Sequence, residues 1–239
     1  MRLKIETPKG TYRYKFIPIF EGIKPINKEI AKENLFLLKE VCDRHDVHFL
    51  LFFGTLLGAV REHDFITHDE DIDLVMPKER MPDFLSLLFE LRKEGFEVAR
   101  FEKRGFMSII RKGEYIDFYF FQPYPPDQNL MYCACEICRK EFITETTTME
   151  FLGGQFLVPK DYLEFIEEYF GEDWRTPIQI FDFKKTKVQL YKEHFIQYVK
   201  TWLPISLTER IQKRKDSPLL EKKIKNIYSR QKKTRVDKL

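Results

Sequence analysis

The sequence predicts an α+β protein in which a mixed sheet is flanked by helices and followed by a helical C-terminal half. Residues 48–53 form a continuous apolar run, which is typical of a strand buried on both faces. Residues 71–76 alternate polar and apolar side chains, as a strand with two different faces does. Helix signals, including a proline-to-glycine pair around 159–171, dominate the C-terminal half of the chain.

The length of 239 residues fits one domain with an appended segment better than two domains. We predict a domain over 1–204, whose core lies at about 27–125, and a basic helical segment over 205–239. The apolar fraction of 43%, with 23 Phe and 11 Tyr, is enough for a bulky aromatic core and excludes a chain disordered throughout.

The predicted elements of the first third surround the apolar run. Residues 1–20 alternate around a Pro-Lys-Gly turn signal and indicate a short hairpin. Asn27 is a helix cap for a helix that reaches about Asp46. The strand at 48–53 ends at Gly-Thr, and a helix over 56–61 follows at once.

The remaining elements alternate with glycine and proline punctuation. We predict a helix over 78–94 and strands over 96–101, 106–111 and 115–121, then a loop that carries three cysteines. Four more helices are predicted, over 159–171, 186–202, 206–215 and 218–233.

Charge is unevenly distributed. The whole chain carries +3, but residues 205–239 hold 12 Lys and Arg against 4 Asp and Glu, which leaves the preceding body mildly acidic. Such a segment suits peripheral contact with an anionic membrane surface. The alternatives are that the segment is a solvated helix without a partner, or that its apolar residues pack back onto the core. Nucleic acid is not expected as a partner, because no binding-module signature accompanies the charge.

Two observations bear on location. The longest uncharged apolar run has 12 residues, at 49–60, and a membrane-spanning helix needs about 20. The first residues lack the apolar stretch of a secretory signal. We therefore expect a cytoplasmic protein, either free or peripheral at the inner face of the membrane.

Three aspartates stand where strands are predicted. Asp71 and Asp73 are two residues apart, so their carboxylates project from one face of a strand, and Asp117 lies in an apolar strand of its own. If those strands are neighbours, the carboxylates converge, and like charges so close need a compensating cation. Oxygen ligands of this kind suit Mg²⁺ or Mn²⁺, and two such ions would clamp a phosphoryl transfer; the alternative is an acidic sheet face that meets water.

Gly54 and Thr55 mark the turn from a strand into a helix. Backbone N–H groups are exposed at a helix N-terminus and form a site for phosphate, to which a Thr hydroxyl adds a donor. The signal gains weight because it lies 17 residues before Asp71.

Taken together, these motifs resemble the nucleotidyltransferase fold and, more specifically, the LicD family. The resemblance rests on residues 54–61 (Gly-Thr-Leu-Leu-Gly-Ala-Val-Arg), 65–66 (Phe-Ile), 69–77 (Asp-Glu-Asp-Ile-Asp-Leu-Val-Met-Pro) and 169–177 (Tyr-Phe-Gly-Glu-Asp-Trp-Arg-Thr-Pro). It covers about residues 30–180 and implies a nucleotidyltransferase-like sheet. The family often has Pro-Trp-Asp-Asp-Asp where this chain has Thr-His-Asp-Glu-Asp at 67–71, which leaves the phosphocholine head group open.

The family resemblance implies a reaction. Members transfer a substituted phosphate, such as phosphocholine, from a CDP-linked donor to a hydroxyl of a cell-surface or capsular glycan, which can be lipid-linked, and release CMP. A nucleotidyltransferase that releases pyrophosphate from an NTP and a catalytically silent binding protein on the same fold are the rivals.

The resemblance also implies roles for particular residues. Asp71, Asp73 and Asp117 would hold the metal, and Asp69 would be a further ligand, a neighbour of the ligands or a base for the acceptor. Gly54 and Thr55 would hold phosphate. Arg61 would neutralise the leaving group, or it is a plain helix-surface residue.

Cys133, Cys135 and Cys138 form a C-x-C-x2-C cluster. A structural zinc ion takes four ligands, so the fourth would be Cys42, His194 or a residue of another chain. Three reduced thiols in a loop are the alternative.

Overall fold

The computed structural model describes residues 3–17, 19, 24–177, 186–200 and 202–236. Within these residues the strands are β1 (Leu3–Thr7), β2 (Gly10–Tyr14), β3 (Leu50–Leu51), β4 (Ile72–Pro77), β5 (Glu97–Glu102), β6 (Phe106–Arg111), β7 (Glu114–Tyr124), β8 (Asp127–Cys133), β9 (Glu136–Arg139), β10 (Thr146–Phe151) and β11 (Gly154–Pro159). The helices are α1 (Lys28–Asp43), α2 (Phe53–Arg61), α3 (Met81–Lys93), α4 (Glu141–Thr144), α5 (Tyr162–Phe170), α6 (Lys187–Lys200) and α7 (Ile205–Val236).

The main sheet is mixed, as predicted. Its strands run in the order β10-β11-β3-β4-β7-β6-β5, and β8 joins β7 to β9. The pairs β11–β3 and β4–β7 are parallel, whereas the other pairs are antiparallel. Because β4 and β7 are parallel neighbours, residues at the same level of the two strands lie side by side.

Helix α1 shows how the sequence specifies a packed element. Asn27 caps it by accepting the N–H of Ile30 at 3.0 Å. Its buried side chains recur three and four residues apart and face the core: Ala31, Asn34, Leu35, Leu38, Val41 and Cys42. Each large apolar side chain buried in this way contributes roughly 1.5–3 kcal/mol.

Helix α2 begins earlier than the sequence predicts. It starts at Phe53 rather than at residue 56, so Gly54 and Thr55 lie in its first turn. Phe53 has a φ of 39°, which is strained for a bulky residue. The aromatic ring offsets that strain, because it packs in the core against Phe52 and Tyr119, with ring centroids 5.0 Å away in each case.

The region expected to be a cysteine-bearing loop is largely sheet. Strands β8 to β11 occupy most of 127–159, where the sequence predicted only irregular structure. Helix α7 is continuous where two helices were expected, and it accommodates Pro218 in its interior. None of the helices in the described ranges combines the length and the apolar content that crossing a membrane requires.

Candidate active site

A row of polar side chains crosses four strands of the main sheet. The register pairs Asp73 of β4 with Asp117 of β7, Asp117 with Ser108 of β6, and Ser108 with Arg100 of β5. All four are at least largely buried, and Asp73 and Asp117 are only 8% and 3% exposed. The row brings together two of the three aspartates that the sequence singled out, and the third, Asp71, lies one residue before β4 rather than within it.

The start of α2 holds Asp73 in place. The Gly54 N–H donates to Asp73 Oδ2 at 3.1 Å, and the Asp73 N–H donates to Thr55 Oγ1 at 2.8 Å. Thr55 is 1% exposed. In this structure the Thr55 hydroxyl is turned to β4 and positions Asp73, and a contact between Thr55 and phosphate stays a prediction.

Asp69 lies directly over Gly54. A Cβ atom at Gly54 would collide with Asp69 Oδ2 and approach Asp73 Oδ2 to 3.3 Å. Asp69 Oδ1 also accepts the Glu70 N–H at 3.0 Å. Only glycine leaves room for two carboxylates at the N-terminus of α2, which explains the requirement for Gly54 without invoking phosphate.

The electrostatics of the aspartates is that of a buried cluster of like charges. Burial raises the pKa of Asp71, and the charges of Asp73, Asp117 and Asp69 raise it further. Burial likewise raises the pKa of Asp73 first, and the charges of Asp69 and Asp117 follow. Burial also raises the pKa of Asp69, against the opposing effect of the Glu70 N–H. A site that penalises its own negative charge in this way favours a bound cation.

Two residues that the sequence analysis missed complete the surroundings of Asp117. Ser108 Oγ donates to Asp117 Oδ1, and Arg100 Nη2 donates to Asp117 Oδ2 at 2.9 Å. Arg100 Nε donates to Ser108 Oγ at 2.7 Å, and its guanidinium lies 4.5 Å from the centre of the Phe106 ring. A register shift between Val98 and Arg100 sets Arg100 opposite Ser108, and bulges of this kind often re-aim side chains beside active sites.

An aromatic wall borders the aspartates. The Phe53 ring lies 5.0 Å from Tyr119 and 4.8 Å from Tyr169, and Phe106 lies 4.9 Å from Tyr119. Burial raises the pKa of Tyr119, and the charge of Asp73 is the next cause. Tyr119 follows Asp117 by two residues on β7, so the period of the strand was the signal that would have found it.

Arg61 takes partners other than the one expected. Its Nη1 donates to the Trp174 carbonyl oxygen at 3.1 Å, and its Nη2 pairs with Glu62 at 2.8 Å. The side chain is 11% exposed. Arg61 is therefore neither a plain surface residue nor, in this structure, in contact with the aspartates; it ties the end of α2 to the segment that follows α5.

The aspartates fit a divalent cation in donor chemistry, since they supply hard oxygen ligands, and the missing side chain of Gly54 lets the carboxylates of Asp69 and Asp73 approach one another. Across the described ranges, however, no three His, Cys, Asp or Glu side chains are grouped as a metal centre. Both oxygens of Asp117 accept hydrogen bonds, one from Ser108 and one from Arg100. A cation would have to compete with Arg100 for this carboxylate.

The cysteines give no support to a zinc site. Cys133 is buried and its Sγ donates to the Gly105 carbonyl oxygen at 3.1 Å, and Cys138 is also buried. Burial raises the pKa of Cys133 to about 12, so without a metal it is a thiol. The side chain of His194 lies outside the described residues, and zinc at the cluster stays a prediction.

A separate cavity of about 510 Å³ lies between α7 and strands β7 and β8. Its lining includes Arg104, Tyr124, Tyr132 and Asp216, and none of the clustered aspartates. The cavity is therefore distinct from the row that carries Asp73.

Comparison with known proteins agrees with this reading of the fold. Residues 46–161 match the family model described as LicD/FKTN/FKRP, nucleotidyltransferase domain. A stretch of 62 residues is 32% identical to the lipopolysaccharide cholinephosphotransferase LicD of Haemophilus influenzae. It covers 26% of this chain and 23% of that protein, so the match spans about a quarter of the relative's length.

Two solved structures show a distant likeness. The lincosamide antibiotic adenylyltransferase LnuA, bound to lincomycin, has a TM-score of 0.41 and 11% identity over 56% of this chain and 83% of its own. The antibiotic-resistance factor ANT(2'')-Ia has a TM-score of 0.44 and 12% identity over 88% of this chain and 99% of its own.

The mixed sheet with its flanking helices and the match to the family model together confirm the predicted nucleotidyltransferase-like α+β fold. Asp73 of β4 and Asp117 of β7, which lie side by side, are both inside the matched range. Residues 46–161, just under half of the chain, therefore form a nucleotidyltransferase domain of the LicD family.

Proposed function

We propose that this chain transfers a substituted phosphate from a CDP-linked donor to a hydroxyl of a cell-surface glycan and releases CMP. The observation that carries the proposal is the side-by-side placement of Asp73 and Asp117, with Asp69 and Asp71 close by, inside a LicD-family domain. Buried carboxylates that penalise one another's charge are suited to a site where a cation and an anionic substrate meet.

In this proposal Asp71, Asp73 and Asp117 hold Mg²⁺, or Mn²⁺ in its place. The metal would supply positive charge that stabilises the oxygens of the transferred and leaving phosphates. Gly54 leaves room for the Asp69 carboxylate beside Asp73 and donates its N–H to Asp73. Asp69 lies close to Asp73 and is partly exposed, and in this proposal it accepts the proton of the acceptor hydroxyl.

The test is a turnover screen with Mg²⁺ and a panel of CDP-choline, CDP-ethanolamine, CDP-glycerol, CDP-ribitol and the four NTPs. Release of CMP from one CDP compound, dependent on the metal and lost in Asp73→Asn, is the expected result and also identifies the head group. Release of pyrophosphate from an NTP alone would contradict the proposal and favour a nucleotidyltransferase. Metal binding without turnover of any compound, with a glycan acceptor supplied, would favour the silent binding protein.

The lipid-linked form of the acceptor gives a membrane contact a purpose, and α6 is suited to it. Its exposed apolar and aromatic side chains recur at intervals of three and four residues and continue just beyond the helix: Val188, Tyr191, Phe195, Tyr198 and Trp202. Aromatic residues on one face of a helix that also carries Lys are typical of helices that lie at a membrane interface. We propose α6, rather than α7 alone, as the peripheral membrane contact.

Flotation with vesicles of phosphatidylcholine and phosphatidylglycerol tests this contact. The double variant Phe195→Ser, Trp202→Ser should lose the co-flotation that the unaltered protein shows. Leu163→Ser is the matched control, because Leu163 is an exposed apolar residue on α5. Equal flotation of all three proteins would contradict the proposal.

A further inference from the structure

Helix α7 is docked on the body of the protein and is not a free tail. Ile227 is 5% exposed and packs in a cluster with Leu130 and Ile137, which Leu220 and Ile224 cover. Polar contacts reinforce the packing along the helix. They join Asp216 to Arg104, Tyr228 Oη to Asp127 Oδ2 at 2.5 Å, and Arg230 to the carbonyl oxygen of Glu167.

One lysine of this helix points to the side of the molecule that carries the aspartates. Lys223 forms an ion pair with Glu136 of β9, and its ammonium group lies 5.2 Å from the centre of the Tyr169 ring. Tyr169 Oη donates to the same Glu136 oxygen at 2.8 Å. Lys223 remains 32% exposed, whereas Glu136 is 15% exposed, so the lysine is held in place but can be reached from solvent.

The aromatic wall connects this lysine to the aspartates. The Tyr169 ring is 4.8 Å from that of Phe53, which precedes Gly54. Glu136 is also close enough to Asp73 to affect its pKa. Burial and the charges of Asp69 and Asp117 are the larger causes that raise this pKa, and the charge of Glu136 raises it further. Lys223, Glu136 and Tyr169 therefore border the same site, although α7 lies far along the chain.

We infer that Lys223 is a binding residue of the candidate active site and takes the phosphate oxygens of a diphosphate-bearing ligand. The inference rests on the proposed function, because it assigns a partner to the same site. The site needs such a cation, since its aspartates repel a polyphosphate and Arg100 is engaged with Asp117. A lysine ammonium is a mobile point charge with three donors, which can turn from Glu136 to phosphate without moving the helix.

The inference gives the segment 205–236 a place in the active site. The cation–π contact with Tyr169 and the ion pair with Glu136 hold the ammonium in position before the ligand arrives. Binding of an anion then draws the lysine away from Glu136, whose oxygen keeps the Tyr169 hydroxyl as a partner. Removing α7 would therefore remove a ligand contact as well as the packing around Ile227.

Binding of CDP and of inorganic pyrophosphate, each with Mg²⁺, tests the inference by calorimetry on the full chain. Lys223→Met keeps the apolar stem and removes the charge, and it should weaken both ligands by about tenfold, as loss of a charged hydrogen bond does. Lys222→Met is the matched control, because Lys222 is exposed on the same helix, and it should leave both affinities unchanged. Lys223→Arg should restore part of the loss, and the Tm of Lys223→Met should stay close to that of the unaltered protein.

The outcomes separate this inference from the proposed function. CDP binding that is equal in Lys223→Met and in the unaltered protein would overturn the role of Lys223 and leave the CDP-linked donor intact. Binding of pyrophosphate but not of CDP, lost in Lys223→Met, would support Lys223 and contradict the donor. Failure of the unaltered protein to bind either ligand would overturn the inference, and the CMP-release screen would then decide the proposed function by itself.

Discussion

Asp73 and Asp117 stand at the same level of two parallel neighbouring strands, so their carboxylates share one face of the sheet although 44 residues separate them in sequence. Parallel pairing fixes this relationship, because every side chain at a given level points to the same side as its neighbour. The Gly54 N–H and the Thr55 hydroxyl fix Asp73, and Ser108 and Arg100 fix Asp117. The candidate site is thus built on strands, while the aromatic wall beside it comes from both strands and helices, with Phe106 and Tyr119 on β6 and β7 and Phe53 and Tyr169 on α2 and α5.

Asp73→Asn should abolish transfer while the protein stays folded. Asparagine can still accept the Gly54 N–H but carries no charge, so the site loses an anionic metal ligand and activity should fall by at least about 100-fold. Without metal the variant should be at least as stable as the unaltered protein, since one like charge has been removed from a cluster that raises its own pKa values.

Thermal unfolding with EDTA and with Mg²⁺ checks both parts of this prediction. The unaltered protein should gain stability from Mg²⁺, and Asp73→Asn should gain little or none. Asp46→Asn is the control, because Asp46 is 91% exposed and lies outside the cluster. An unchanged response to Mg²⁺ in Asp73→Asn would remove the argument for a metal at this carboxylate.

Arg100→Met should lower the stability of the metal-free protein and strengthen its response to Mg²⁺. The guanidinium pairs with a carboxylate that is 4% exposed, and loss of one partner of such a pair costs about 3 kcal/mol. The same change frees Asp117 from the cation that competes with a metal. A titration of Tm against Mg²⁺ concentration should therefore show a lower starting value and a larger gain.

Arg92→Met is the matched control for Arg100. Arg92 also lies over an aromatic ring, 3.9 Å from the centre of Tyr12, and pairs with Glu97, but it is remote from the aspartates. Its loss should lower Tm without changing the gain from Mg²⁺. An equal gain in Arg100→Met and Arg92→Met would show that Arg100 does not compete with the metal.

The main elements of the fold follow from local signals in the sequence. The apolar run, the alternating strand and the capped helix α1 depend on residue periods and on Asn27, which are local properties. The adjacency of Asp73 and Asp117 was expected only on the condition that their strands pair, because pairing depends on long-range packing. Strands β8 to β11 were missed because short strands among Pro, Cys and Thr lack a clear alternation.

The residues that surround the aspartates are the least predictable part of the site. Arg100 reaches Asp117 because the register of β5 shifts by a residue, and no local pattern announces that bulge. Lys223 reaches Glu136 because α7 folds back over β9, and the basic composition of the segment suggested solvent or membrane as readily as packing. Sequence motifs thus identified the charges to be compensated but not the cations near them.

Gly54→Ala should inactivate the protein by displacing Asp69. The new Cβ would collide with Asp69 Oδ2. The φ of Gly54 is not in the left-handed region, so alanine can adopt this backbone conformation, and the loss of activity would come from the collision. We expect a drop in turnover of about 100-fold, since a misplaced catalytic group costs that much. The double variant Gly54→Ala, Asp69→Ala should regain stability relative to Gly54→Ala, because the colliding group is gone.

A double-mutant cycle of unfolding free energies measures that coupling. The cycle compares Gly54→Ala, Asp69→Ala, their combination and the unaltered protein, and residues in contact typically couple by about 0.5–3 kcal/mol. Additive losses would mean that Gly54 serves another purpose, such as approach of a phosphate to the N-terminus of α2.

Glu168→Gln should flatten the pH dependence of stability between about pH 4.5 and 7. Burial raises the pKa of Glu168 from 4.5 to about 7, although Arg139, at 3.0 Å, opposes the rise. In this range the folded protein keeps a proton that the unfolded chain has released, so stability falls as pH increases toward 7. The difference between the two pKa values corresponds to roughly 3 kcal/mol at most. Urea unfolding from pH 4.5 to 8 should show this fall in the unaltered protein and a smaller one in Glu168→Gln. Glu164→Gln changes a 56% exposed partner of the same arginine and should reduce the slope only in part, because the charge of Glu164 is a lesser cause of the raised pKa than burial. Parallel pH curves for the unaltered protein and Glu168→Gln would show that Glu168 is ionised in the folded state over the whole range.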